Sequence, residues 1–152
     1  MKFTCTKSDF NNGINIALKA VPGKTTMPIL GYVVIEAKDD YIKMTTNDMQ
    51  LGIETKVPAQ VQEPGVILMN AKMISEYVRR LPDDDINFEV DEQNNILLFC
   101  GRSKFSIPGM DNDEFPKLPD IEVDSKIEIS QFTLREMIQQ TIFSISDNES
   151  NK

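Results

Sequence analysis

The stretch from Gly101 to Pro116, GRSKFSIPGMDNDEFP, decides the reading of this chain. Its first half alternates, so Phe105 and Ile107 are expected to face a core while Arg102 and Lys104 point the other way. Its second half is rich in Pro, Gly, Asp and Asn, a composition that excludes a strand interior. We therefore expect a last, cation-bearing edge strand that closes a folded unit, followed by an acidic linker.

The composition limits the class of protein. The 152 residues suffice for one domain or slightly more, and 40% hydrophobic residues can form a core. The formal net charge of −8, taken alone, argues against nucleic acid as a partner, although a basic face can sit on an acidic body. The chain has no His, which removes the commonest general base. We therefore expect no cofactor and no metal.

The two cysteines and the apolar runs bear on the compartment. Cys5 and Cys100 form no CxxC pair, so we interpret them as reduced core residues of a cytoplasmic protein. No apolar run reaches the roughly 18 residues of a membrane helix. Because the strand-like residues KFTCT follow Met1 directly, no signal peptide is expected.

Apolar periodicity predicts the same element order twice. A strand, a helix and three strands are expected in each half, with Ser8 or Lys7 near the first N-cap and Asn70 as the second. The fold class is therefore α+β, a doubled strand-helix-three-strand unit with two helices on one face of antiparallel sheets. The predicted elements are strand 2–6, helix 8–21, strands 29–37, 41–46, 51–57 and 66–70, helix 71–80, and strands 86–90, 96–100 and 103–107.

The remaining residues predict a third repeat that has only begun. A linker region is expected over residues 108–125, then a strand over 126–130 and a helix over 131–144. Because one strand-helix pair is too small to be stable alone, we expect a fragment of a longer protein. The predicted domains are 1–119 and an incomplete second domain over 126–152.

Three carboxylate clusters are the candidates for an enzyme site. They lie at residues 39–40, 83–85 and 111–114 and could in principle hold two metal ions. Each lies beside a predicted turn, where Asp is favoured by its backbone hydrogen bonds. The turn interpretation is preferred, so we expect no catalytic residue and no enzyme.

The cations leave alternatives open. Lys24 is either a solvated loop residue or part of a surface that tolerates a polyanion, because the polar helix faces carry few acids. The edge at residues 102–107 is either a protective cationic edge or a strand that pairs with another subunit. The polar helix faces carry Asn11, Asn15, Lys19, Lys72 and Arg79, with Asp9 and Glu76 opposing them.

The motifs together resemble one family. They are MKFT at the start, KTTMPILG from Lys24, NDMQLGIE from Asn47, the run from Glu63 to Pro82, and GRSKFSIPGMDNDEFPKLP from Gly101. In this order they resemble the first domain of the bacterial DNA sliding clamps, the beta subunits of DNA polymerase III. The resemblance implies three similarly folded domains and two subunits joined head to tail in a ring around duplex DNA. It implies a processivity factor that slides with the replicative polymerase.

The resemblance also implies site residues. DNA-side positions correspond to Lys24, Lys72 and Asn148. The side of the ring joint that meets the second clamp subunit corresponds to Tyr77, Arg79, Arg102, Lys104, Phe105 and Ile107. The clamp loader and the polymerase are expected to dock on domains beyond these residues, and no membrane is expected as a partner. The alternative is a free-standing protein-interaction module that uses the 102–107 edge and binds no DNA.

Overall fold

The computed structural model describes residues 1–119 and 127–145, which fall in two compact units, Met1–Leu118 and Pro119–Lys152. The first unit holds nine strands and two helices, and the second contributes one helix. In chain order these elements are β1 Lys2–Thr6, α1 Lys7–Ala17, β2 Tyr32–Lys38, β3 Tyr41–Asn47, β4 Gly52–Pro58, β5 Gln60–Glu63, β6 Gly65–Asn70, α2 Ala71–Arg80, β7 Asp85–Val90, β8 Asn95–Cys100, β9 Ser103–Pro108 and α3 Gln131–Thr141.

The strands of the first unit form two antiparallel sheets. One has the order β5-β1-β7-β8-β9 and the other β4-β3-β2-β6. The predicted doubling is present, since β1-α1-β2-β3-β4 is followed by β6-α2-β7-β8-β9. The first strand of each half joins the sheet of the other half, so that β1 pairs with β7 and β6 pairs with β2. The two halves are therefore interlocked, and the predicted α+β class is confirmed.

Several local predictions were wrong, three of them between residues 17 and 63. The first α-helix ends at Ala17 and continues as a 3-10 turn over Leu18–Ala20, instead of running to residue 21. Residues Pro28–Gly31 form a second 3-10 turn instead of the start of the strand predicted at residue 29, because the fixed φ of Pro28 favours the first position of a helical turn. Strand β5 was missed because its sequence QVQE has one apolar residue and is held by pairing with β1.

Helix α1 begins with a side-chain cap supplied by Thr6, one residue earlier than predicted. The Thr6 hydroxyl accepts from the Asp9 amide at 3.1 Å and donates to the Asp9 carboxylate at 2.8 Å. Phe10 on the inner face lies 6.4 Å, between ring centroids, from Phe88 of β7. A side chain at Gly13 would overlap Val57 of β4, so this glycine permits close packing of the helix on the four-stranded sheet.

Helix α2 begins where the sequence indicates. The Asn70 side chain accepts from the Met73 amide at 2.9 Å, as an N-cap should. Ala71, Ile74 and Val78 are fully buried and join the core between the sheets. The two helices are in contact, and Lys7 at the start of α1 meets Leu81 at the end of α2.

The second unit is described over residues 127–145. Ser130 caps α3 by accepting from the Thr133 amide at 3.1 Å, and a 3-10 turn follows over Ile142–Ser144, so the predicted helix is present. Residues 127–130 form no strand, contrary to prediction, and Lys126 lies outside the described residues. Across the described ranges, the helices are all too short or too polar to span a bilayer.

Candidate functional site

The cations expected near DNA lie on or beside the helices. Lys24 is exposed in the loop after the first helix, and Lys72 is exposed in the first turn of α2. Neither forms an ion pair within residues 1–119 and 127–145. Asn148, the third predicted position, lies outside the described residues.

The ion pairs of the described residues lie on the strands instead. Lys43 of β3 lies 2.9 Å from Glu36 and 3.4 Å from Glu54, which flank it on β2 and β4. The hydrogen bond to Glu36 raises the pKa of the Lys43 ammonium. Lys2 pairs similarly with Glu89 at 2.7 Å. The sheets therefore bring cations and acids together, whereas Lys24 and Lys72 stay available to an external anion.

The predicted edge strand is at an edge. Strand β9 pairs on one side with β8 and ends the five-stranded sheet. Gly101 adopts φ +55° as the first residue of the two-residue turn before β9, a conformation that glycine tolerates best. Arg102 belongs to this turn and is exposed, instead of standing in the strand. Lys104 is exposed, with its ammonium 5.1 Å from the ring centroid of Phe99 on β8.

Two predicted interface residues from distant parts of the chain meet. The rings of Tyr77 on α2 and Phe105 on β9 lie 5.0 Å apart between centroids, with 42° between their planes. Both side chains are half-buried. Arg79, two residues after Tyr77 on α2, is exposed. The end of α2 and the edge strand thus meet in an aromatic contact.

Ile107 is a correction to the predicted set. Its side chain is 1% exposed and belongs to the hydrophobic core. Alternation points Phe105 and Ile107 to the same side of β9, but only Ile107 is fully covered by the core. Its side chain therefore has no free surface to pack against another subunit. Of the prediction for Ile107, only its position in the edge strand holds.

Sequence reasoning missed Met73 and Arg80, which lie beside Tyr77. A shallow cavity of about 380 Å³ is lined by Met73, Glu76, Tyr77 and Arg80. Met73 is 40% exposed. The i, i+4, i+7 spacing of Met73, Tyr77 and Arg80 places them on one stripe of α2, and this spacing was the available signal.

Two of the three carboxylate clusters use their side chains in hydrogen bonds of the fold. Asp84 accepts from the Asp85 amide at 2.8 Å, and Asp111 accepts from the Asn94 side chain at 3.0 Å. Asp48 shows the same chemistry, because amides of Leu51 and Gln50 bond its carboxylate and lower its pKa. Within the described ranges, no three or more acidic or cysteine side chains are grouped to hold a metal ion.

Comparison with known sequences decides the family. The family described as "DNA polymerase III beta subunit, N-terminal domain" matches residues 1–119. The chain belongs to the DNA polymerase III beta subunit family. Curated relatives in this family include the beta sliding clamp of Bacillus subtilis strain 168, 35% identical over 98% of this chain and 42% of the relative. The beta sliding clamp of Synechocystis is 33% identical over all of this chain and 41% of its own length.

Solved beta subunits carry the same fold. A crystal structure of the Bacillus subtilis sliding clamp has a TM-score of 0.92 and 34% identity, over 99% of this chain and 42% of that one. A beta-subunit structure from Eubacterium rectale has a TM-score of 0.92 and 46% identity, and the match covers 100% of this chain and 42% of that one. This chain therefore spans about two fifths of the length of the beta subunits that it matches.

Proposed function

We propose that residues 1–119 form the N-terminal domain of a ring-shaped DNA sliding clamp. In this proposal the ring encircles duplex DNA and keeps a replicative polymerase on its template. The observation that supports it best is the contacting pair α1 and α2, because Lys72 on α2 and Lys24 in the loop after the first helix are exposed and lack acidic partners in the described part of the chain. Membership of the beta subunit family supports the same role.

The charge distribution suits a clamp that slides. A sliding protein needs phosphate contacts that are weak and independent of base sequence. Lysine supplies a mobile point charge instead of the two-pronged bond of arginine. With a net charge of −8, most of the surface repels DNA, so cations on the helices direct the duplex to that surface.

The second partner in the proposal is another clamp subunit. Strand β9 offers an unpaired edge, and the pair Tyr77–Phe105 offers an apolar centre beside it. Arg102 and Lys104 add exposed positive charge along the same edge, and Arg79 is exposed at the end of α2, so an edge with carboxylates at matching positions is the expected counterpart. We refer to this set, Tyr77, Arg79, Arg102, Lys104 and Phe105, as the joint surface.

The function requires no covalent chemistry from this chain. Encirclement is topological, so DNA is retained by closure of the ring and the contacts need only tolerate it. In this proposal the clamp loader and the polymerase dock on other parts of the ring, as the resemblance to the sliding clamps implies. This proposal makes the protein a non-catalytic processivity factor.

Primer extension tests the proposal. Residues 1–118 would replace the matching domain of the Bacillus subtilis clamp, and the hybrid would be added to that organism's polymerase and loader. We expect extension products much longer than those made without a clamp. The unmodified clamp is the positive control. A folded hybrid that gives only short products would refute the clamp role and favour the alternative, an interaction module that uses the β9 edge without DNA.

A further inference from the structure

Lys7 occupies a position that its own helix disfavours. It is the first residue of α1, where the helix dipole presents positive charge and favours an anion. The neighbouring Asp9 follows that rule, whereas Lys7 opposes it. A charge that conflicts with its local element indicates a compensating contact elsewhere in the fold.

The compensating contact is the end of the other helix. The Lys7 ammonium donates to the carbonyl of Leu81, the C-cap of α2, at 2.7 Å. The C-terminus of a helix carries free carbonyls and partial negative charge, so a cation is favourable there. The Lys7 amide also donates to the Asp84 carbonyl at 3.3 Å. One half-buried residue of α1 therefore holds both ends of the segment from Leu81 to Asp84.

This segment supports both halves of the joint surface. On one side it is the direct continuation of α2, which carries Tyr77 and Arg79. On the other side the Cys100 thiol donates to the Pro82 carbonyl at 3.5 Å. A Cβ placed at Gly101, in the turn before β9, would lie 3.7 Å from Pro82 and 3.6 Å from Asp84. The segment thus lies between the end of α2 and the turn that leads into the edge strand.

We propose that Lys7 is a positioning residue that fixes the two halves of the joint surface relative to each other. It acts through Leu81 and Asp84 and does not contact a partner itself. By the same contact it connects the start of α1, a helix on the proposed DNA side, to the end of α2 at the joint. The inference rests on the proposed function for the role of that surface, but the contact network can be tested without a ring.

Amide hydrogen exchange on the 152-residue chain tests this inference. Lys7→Met keeps the aliphatic stem and removes the donor, and Lys7→Arg restores a cationic donor. In Lys7→Met we expect the amides at the end of α2 and in the turn at residues 101–103 to exchange about tenfold faster, the loss expected for a hydrogen bond from a charged group. Amides of β2 and β3 should be unchanged, and Lys7→Arg should restore most of the protection.

Three outcomes would overturn the inference. They are unchanged exchange in Lys7→Met, a uniform increase across both sheets, and a failure of Lys7→Arg to restore protection. Should Lys7→Met not fold, Lys7→Gln, which keeps a shorter neutral donor, provides the same comparison with a smaller expected effect. Because the measurement involves neither DNA nor a second subunit, its result is independent of the primer-extension test.

Discussion

Cys5 is buried in β1 and takes no part in the proposed function. Its side chain is 6% exposed, and burial, together with the charges of Asp9 and Asp85, raises the pKa of the thiol to about 12. Burial likewise raises the pKa of the Cys100 thiol. Both thiols are free in the structure, and their raised pKa values keep them protonated near neutral pH.

The raised pKa of Cys5 predicts a loss of stability in alkali. The unfolded thiol has a pKa near 9. Below that pH the contribution of Cys5 to the free energy of unfolding is fully present, and it is lost as the pH rises from there toward 12. In that window Cys5 should lower the free energy of unfolding by about 1.4 kcal/mol per pH unit. Urea unfolding of the wild type and Cys5→Ala at increasing pH measures this effect. Equal slopes for the two proteins would contradict the prediction.

In the proposed function, Lys24 and Lys72 carry the DNA contact. In the hybrid clamp, Lys24→Gln with Lys72→Gln should weaken binding to a short duplex and reduce the dependence of log K on log salt by about 0.9 per lost phosphate contact. Fluorescence anisotropy at several salt concentrations measures both. Lys38→Gln makes the same charge change at the exposed end of β2 and should have no effect. A salt dependence that stays the same in the double variant would exclude these residues from the DNA contact.

Among the elements, the turn between β8 and β9 sets the position of the edge strand. Gly101 has φ +55°, and a Cβ there meets only ordinary van der Waals contacts, so the conformation itself is the cost of a side chain. We expect Gly101→Ala to lower the free energy of unfolding by about 1–2 kcal/mol. Gly23, which has open space around it and no positive φ, is the matched control. Denaturant unfolding should show no loss for Gly23→Ala, and equal losses for the two variants would contradict the explanation.

The elements also show which features local sequence could predict. Helix α2 was predicted because Asn70 is a good N-cap and Ile74 and Val78 recur at helical spacing. Strand β5 could not be predicted, because it depends on pairing with β1, nearly sixty residues earlier. Ile107 and Phe105 alternate alike in β9, and only the packing of the whole unit distinguishes the core residue from the surface one.

The contact between Lys7 and Leu81 shows the same limit in the candidate site. The two residues are 74 positions apart, and the local pattern offers Lys7 only as a possible N-cap. The interlocked sheets bring the start of one helix to the end of the other, and the role of Lys7 follows from that arrangement. The exposed cations and the edge strand were predictable, because exposure and alternation are local properties.

At the scale of the whole molecule, the account rests on closure of a ring. The chain spans about two fifths of its beta subunit relatives, so the claim concerns one domain placed in a complete ring.

In the joint that we propose, β9 pairs with a strand of the second subunit through its outward backbone groups. The two-residue turn pairs Cys100 with Ser103, and antiparallel alternation then directs the Ser106 amide outward. Ser106→Pro removes that donor at an edge, where proline is tolerated, and Ser106→Ala is its control.

Retention of the hybrid clamp on circular and linear DNA tests encirclement most directly. After loading on nicked circles, complexes would be separated from free protein by gel filtration, before and after cutting the DNA once. We predict that the hybrid and its Ser106→Ala variant stay on circles and leave on cutting, and that Ser106→Pro leaves intact circles rapidly. A folded, loaded hybrid that leaves circular and linear DNA at the same rate would contradict the account.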